Sequence, residues 1–245
     1  EIELSGTSAT VSTVPMSGTN NSKSYYFDRM TSSGDTLYLS GSVSGSSNTM
    51  RPVFRANLVE DDNGTTAEVT LIDPTVTAAS YYNTGLEVRL SWFDDFAADD
   101  SAVYIPDSQN KLIRKIDLST SNITTIAGKV HNFADGTGQT AEFRYLNRIL
   151  RVGTDLYVKD DYRIRVVDSN TGEVNTLQTS GDSYNYIDRW TTDGTDIYFS
   201  SHYCEATGFC GYKIYKMSLA GVVSEMGLES DSGMSDNESY IFSDH

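Results

Sequence analysis

Basic residues are scarce in this chain. In 245 residues, 18 Lys and Arg stand against 34 Asp and Glu, a net charge of −16. That balance argues against a nucleic-acid or anionic-lipid partner, because phosphate binding runs on Lys and Arg. It fits a solvated acidic surface, with a site for a divalent cation such as calcium as the alternative. Long apolar runs are missing too. None approaches the ~18 residues a spanning helix needs, so no membrane span is expected. Histidine is limited to His131, His202 and His245. They form neither a His-x-His nor a His-Glu-x-x-His pattern, which removes the common metal-hydrolase signature. There is no Gly-x-Ser-x-Gly elbow for a nucleophilic serine. No glycine loop leads a strand into a helix to cradle phosphate, and no Asp-x-Asp-x-Asp-Gly calcium loop occurs. No catalytic residue is therefore nominated. The two cysteines are too few for a typical structural metal site. In Cys204-Glu-Ala-Thr-Gly-Phe-Cys210 they flank a Gly-containing loop and are expected to close it as a disulfide, which implies an oxidising compartment. The chain begins on Glu1 with no signal-peptide pattern, the expectation for a processed, trimmed or partly seen chain.

What the chain does have is a refrain. Tyr26-Phe27-Asp28-Arg29, Trp92-Phe93-Asp94-Asp95, Tyr145-Leu146-Asn147-Arg148 and Tyr186-Ile187-Asp188-Arg189 each run aromatic, apolar, Asp or Asn, charge. A second tyrosine follows nine residues after each fourth member: Tyr38, Tyr104, Tyr157 and Tyr198. Four copies with one internal offset mark an internal repeat. Ser, Thr, Asn, Asp and Gly are abundant between short alternating runs, so each repeat reads as strands joined by turns.

The repeats predict an all-β fold, a β-propeller of four-stranded antiparallel blades. The blades are expected at residues 24–74, 90–128, 143–179 and 184–227. Residues 1–18 read as two outer strands, and 239–245 as the start of a further inner strand. Joining these ends in a split blade gives five blades; the alternative is a fragment of a larger propeller. A single four-stranded sheet exposes both faces, and stacking against a neighbour buries them. Leu37, Val103, Leu156 and Ile197 are expected on one face of the second strand, with the neighbouring tyrosines on the other.

Between Lys111 and Leu150 the chain resembles a known family. Ile113-Arg114-Lys115-Ile116-Asp117-Leu118, then Ile123-Thr124-Thr125-Ile126-Ala127-Gly128, then Ala134-Asp135-Gly136-Thr137-Gly138 and Ala141-Glu142-Phe143, is similar to the NHL-repeat propellers. Arg163-Ile164-Arg165-Val166-Val167-Asp168 repeats the pattern, so the resemblance covers residues 111–180. The Pro-x-Gly usual before the inner strand is absent, and the refrain stands in its place. The resemblance implies a fold rather than an activity: such propellers bind proteins, RNA or glycans, and some are lyases or lactonases.

The refrain supplies the candidate site. Asp28, Arg29, Asp94, Asp95, Asn147, Arg148, Asp188 and Arg189 precede or begin the innermost strands and are expected at one channel mouth. The arginines there either fork onto an anionic or polar partner or pair with an Asp of the next blade. Tyr26, Trp92, Tyr145 and Tyr186 form an aromatic set, expected to pack between blades or to stack on sugar rings. The reading favours a non-enzymatic extracellular or cell-surface platform for a protein or glycan, with the periplasm as another oxidising location. Self-association through incomplete terminal blades is a further expected contact. The alternative is a divalent-metal-dependent lyase or hydrolase with its site on the axis.

Overall fold

The fold is all-β, a β-propeller, with four antiparallel blades among the described residues. The computed structural model describes residues 2–5, 8–11, 16–17, 25–34, 36–43, 53–61, 64–72, 93–129, 133–179, 187–204 and 210–229. β1 (Ile2–Ser5) and β2 (Ser8–Val11) form an antiparallel pair, Ile2 opposite Val11. β3 (Met16–Ser17) runs parallel to the outer strand of the first blade. That blade comprises β4 (Tyr25–Ser33), β5 (Thr36–Val43), β6 (Val53–Asp61) and β7 (Gly64–Leu71). The second comprises β8 (Ala97–Ala98), β9 (Ala102–Asp107), β10 (Leu112–Asp117) and β11 (Ile123–Ala127). β12 (Gly136–Thr137) adds to the outer edge of the third blade. The third blade itself is β13 (Leu146–Val152), β14 (Asp155–Asp160), β15 (Arg163–Asp168) and β16 (Glu173–Leu177). β17 (Ile187–Thr192), β18 (Asp196–Cys204), β19 (Cys210–Ser218) and β20 (Val223–Glu229) make the fourth. The further inner strand expected at 239–245 lies outside the described residues.

The chain divides into two compact units. One holds Glu1–Trp92, Ala97–Val103 and Ile116–Ile123; the other holds Phe93–Phe96, Tyr104–Lys115 and Thr124–His245. In the first, Leu39, Phe54 and Ala56 form a small core with Phe27, Leu37 and Val69 against it. The Phe27 and Phe54 rings meet edge to face at 5.3 Å, the arrangement their quadrupoles favour. Tyr38 is buried, and its hydroxyl donates to the Asp99 carbonyl at 3.2 Å. In the second unit, Tyr157 and Ile164 of the third blade pack with Ile187, Ile197, Phe199 and Met217 of the fourth. There the Tyr157 hydroxyl donates to the Leu219 carbonyl at 3.3 Å. The tyrosine that follows the refrain thus works twice as a buried body with a polar tip, its ring in the core and its hydroxyl on a backbone carbonyl of the next blade.

The second strands explain why the sequence alternates so weakly there. β9 is buried at every position, and β14 at all but its first. A strand covered on both faces has no reason to alternate polar and apolar residues.

Aspartates build the tight turns. Asp117 Oδ1 accepts from the backbone N–H of Ser119 (3.0 Å) and Thr120 (2.8 Å) and from both hydroxyls. Asp168 accepts likewise from the backbone N–H groups of Asn170 and Thr171 and the Thr171 hydroxyl, Asp99 from those of Ser101 and Ala102 and the Ser101 hydroxyl, and Asp193 from those of Thr195 and Asp196 and the Thr195 hydroxyl. These are Asx turns, in which the carboxylate replaces a backbone acceptor. The turn after Asp168 also needs a glycine. Gly172 has φ +73°, and a Cβ there would stand 2.6 Å from the Ile126 carbonyl oxygen.

The turns carry a pH dependence. Hydrogen bonds from the Ser119 hydroxyl, then from Thr120, lower the Asp117 pKa from 3.8 to about 2. A carboxylate with a depressed folded pKa contributes stability above its unfolded pKa and loses it as pH falls through the folded value. The melting-temperature gap between wild type and Asp117→Ala is therefore expected to be full above pH 4 and to close towards pH 2. A gap that stays constant from pH 6 to pH 2 would remove the carboxylate charge from the explanation.

Candidate interaction face

The refrain encodes a backbone device. Strand register shifts between Phe27 and Arg29, between Leu146 and Arg148, and between Ile187 and Arg189. The third refrain residue, Asp28, Asn147 or Asp188, is thus the extra residue of a bulge at the start of the innermost strand. A bulge leaves one residue unpaired and re-aims the next side chain, and Asp or Asn tolerates such backbone.

In the third blade the re-aimed side chain is Arg148. Its Nε donates to the Asp188 carbonyl at 2.8 Å and its Nη1 to the Asp94 carbonyl at 3.3 Å. Its Nη2 lies 3.6 Å from Asp188 Oδ1. One arginine therefore joins the refrains before and after its own. Asp95 belongs to the same cluster: its carboxylate accepts from Ile149 N at 3.1 Å and from Phe96 N at 3.0 Å. In the first unit Arg29 donates to the Asp28 carbonyl at 2.7 Å. Arg189 lies on β17, opposite Ser200 of β18. The side chains of Tyr26, Trp92 and Tyr186 lie outside the described residues. Those of Cys204 and Cys210 do too, but the two cysteines are direct register partners across the β18–β19 hairpin.

Opposite Arg148 stands Lys159, a residue the sequence reading passed over. It is buried, and burial, then repulsion from Arg148, lowers its pKa, with Asp161 and Asp188 opposing. Asn147 Oδ1 is buried without a hydrogen-bond partner among the described residues. No group of three His, Cys, Asp or Glu side chains that could hold a metal comes together among the described residues.

A second cluster starts from a buried ion pair. Arg165 and Asp160 have fully buried side chains 3.0 Å apart. Asp160 Oδ1 also accepts from the backbone N–H of Arg144 (2.8 Å) and Tyr145 (2.7 Å). Arg165 reaches the carbonyls of Glu142 (3.1 Å) and Ala134 (2.8 Å) and the carboxylate of Asp135 (2.8 Å). Its guanidinium lies 5.2 Å from the Phe143 ring. Two loop segments, 133–135 and 142–145, are thereby tied to β14 and β15. Asp135 and Phe143 are the motif residues of the NHL resemblance, and here they line the socket of Arg165. Burial would raise the Asp135 pKa, but hydrogen bonds from Thr176 and the nearby Arg165 bring it below the usual value. The second blade repeats the pair as Arg114 and Asp107, 3.2 Å apart and both buried.

This anchoring holds a set of exposed and half-buried rings and cations. Tyr145 is 60% exposed and Tyr162 52%. The Phe133 and Tyr162 rings lie 5.8 Å apart, inclined at 55°. Arg163 sits over Phe133 at 3.9 Å and over Tyr162 at 5.0 Å, and Arg144 over Phe133 at 5.8 Å. Lys111 sits 5.5 Å from the Tyr145 ring. Asp161, the residue after the buried Asp160, lies 3.6 Å from Arg144, and its N–H donates to the Tyr145 carbonyl at 2.9 Å. Of these residues only Tyr145 was singled out from the sequence. The others carry no spacing signal; only the repeated Arg114 and Arg165 hinted that this edge of the repeat is built alike in two blades.

No protein-family model matches the chain, and no curated protein matches it in sequence. Among solved structures it is similar to a chain in the crystal structure of a nidogen/laminin complex, at 17% identity and a TM-score of 0.45, over 73% of this chain and 60% of that one. It is also similar to the tricorn protease, at 11% identity and a TM-score of 0.44, over 86% of this chain and 18% of that one. This chain therefore spans less than two thirds of either neighbour, and the likeness concerns the fold alone.

Proposed function

We propose that this propeller is a non-enzymatic binding platform of the extracellular or cell-surface kind, built from NHL-like blades, with a protein or glycan as its ligand. The observation that carries the reading is the set of exposed Tyr145, Tyr162 and Arg144 with half-buried Phe133 and Arg163 beside them. Clustered aromatic side chains at a surface mark interaction sites, and aromatic residues with Arg are the enriched types at interface centres. The refrain charges of the second unit support the reading differently: Arg148, Asp94, Asp95 and Asp188 take part in bonds that tie the blades, so the refrain serves cohesion.

Binding of arrayed extracellular proteins and glycans, by wild type and by Tyr145→Ser/Tyr162→Ser, tests this. A ligand lost by the double variant at unchanged melting temperature is the expected result. No ligand at all, or ligands indifferent to both substitutions, would overturn the reading.

The location belongs to the same proposal and rests on Cys204 and Cys210. Directly opposed residues of an antiparallel pair have Cα atoms about 4.5–5.5 Å apart, inside the range a disulfide spans. The chain purified under non-reducing conditions is expected to gain about 2 Da on reduction, one hydrogen per sulfur. Two free thiols in protein recovered from its native source would count against an oxidising compartment.

A further inference from the structure

The face around Arg163 has a more specific chemistry. The Arg163 guanidinium lies 3.9 Å from the centre of the Phe133 ring and 5.0 Å from that of Tyr162, and among the described residues it makes no side-chain hydrogen bond or ion pair. Contact with ring faces leaves its N–H donors unspent. A guanidinium's planar fork matches a carboxylate, which accepts two parallel N–H bonds. Arg144 beside it is 65% exposed and meets a single, partly exposed carboxylate, Asp161. Lys111 adds a third cation on the adjoining turn. Within a chain of net charge −16, this is a local reversal of sign.

The apolar part narrows the occupant. The Phe133 and Tyr162 rings touch, with centres 5.8 Å apart and planes inclined at 55°, and Arg163 already covers them, so the pair offers no flat shelf for a sugar face. The exposed half of the Tyr162 ring is left for an apolar side chain. We propose that this face binds an acidic peptide segment of a partner protein, with Glu or Asp carboxylates on Arg163 and Arg144 and a neighbouring apolar side chain against the exposed Tyr162 ring. This rests on the platform reading and names its ligand class.

The test is fluorescence anisotropy with the intact chain and four labelled probes: a peptide of Glu interspersed with Phe, the same peptide with Gln for Glu, an oligogalacturonate, and an oligothymidylate. The Glu/Phe peptide is expected to bind saturably. Arg163→Gln is expected to weaken it about 10-fold, the loss of a charge-assisted pair of hydrogen bonds. Gln for Glu in the probe is expected to cost a similar factor, and affinity is expected to fall as salt rises. Arg163 is partly exposed, so its substitution leaves folding intact, which thermal melting verifies. Equal binding of the Gln peptide, or indifference to Arg163→Gln, overturns the proposal. Tighter binding of oligogalacturonate through the same arginine overturns the peptide assignment and leaves the platform standing, whereas tighter binding of oligothymidylate overturns both. If no probe binds the wild type, the peptide proposal fails, while the array experiment decides the platform by itself.

Discussion

Arg165→Met is expected to destabilise the protein by about 3–5 kcal/mol, the usual cost of removing one partner of a buried ion pair. For a chain of this size that is a melting temperature lower by roughly 6–20 °C. The cause is the charge left behind. Asp160 has no solvent to turn to, and its two backbone donors, Arg144 N and Tyr145 N, neutralise only part of its charge. The carbonyls of Ala134 and Glu142 lose their donor in the same step. Adding Asp160→Asn to Arg165→Met removes the stranded charge and keeps an acceptor for the two N–H groups. The double variant is therefore expected to recover part of the loss, and a double-mutant cycle measures how much. A single variant within about 1 kcal/mol of wild type would mean the pair is not buried as described.

Phe199→Ala is expected to cost about 3–5 kcal/mol as well, by a different route. Phe199 is fully buried in the core shared by the third and fourth blades. Its ring stacks on Tyr215 at 5.3 Å, 19° from parallel. Truncation loses the transfer free energy of the ring and leaves a cavity between two sheets that cannot collapse without breaking their ladders. Tyr198→Phe, one residue away, is the control. That hydroxyl bonds Asp193 at 2.8 Å at an exposed turn, so its loss is expected to change stability by about 0.5 kcal/mol or less. Chemical denaturation of both variants checks the contrast. Equal effects at the two positions would contradict the packing described for β18.

The contrast between Phe199 and Tyr198 also shows how far the sequence can be read. Both are aromatic residues in one apolar run, and nothing local ranks one above the other. The second tyrosines were legible as a repeat, yet Tyr38 and Tyr157 are buried while Tyr198 is half-exposed, because burial depends on what packs against each blade. The refrain was legible as a marker of blade starts. Its bulge was not, because a register shift is a relation between two strands and leaves no period in either one. Lys159, Asp160 and Arg165 look in the sequence like ordinary polar residues of two strands. Only the placement of Asp160 and Arg165 against segments 133–135 and 142–145, and of Lys159 across from Arg148, makes them buried.

By itself the sequence determined the repeat, the strand-and-turn alphabet and the all-β class. Those follow from side-chain alternation, Asx turns and glycine at positive φ, which act over a few residues. The tertiary structure alone decided which equivalent positions became anchors and which became surface: Arg148 tying Asp94 to Asp188, Arg165 locked on Asp160, Tyr145 left in solvent. Desolvation and charge pairing depend on neighbours tens of residues away along the chain, and four near-identical tetrads meet four different neighbourhoods.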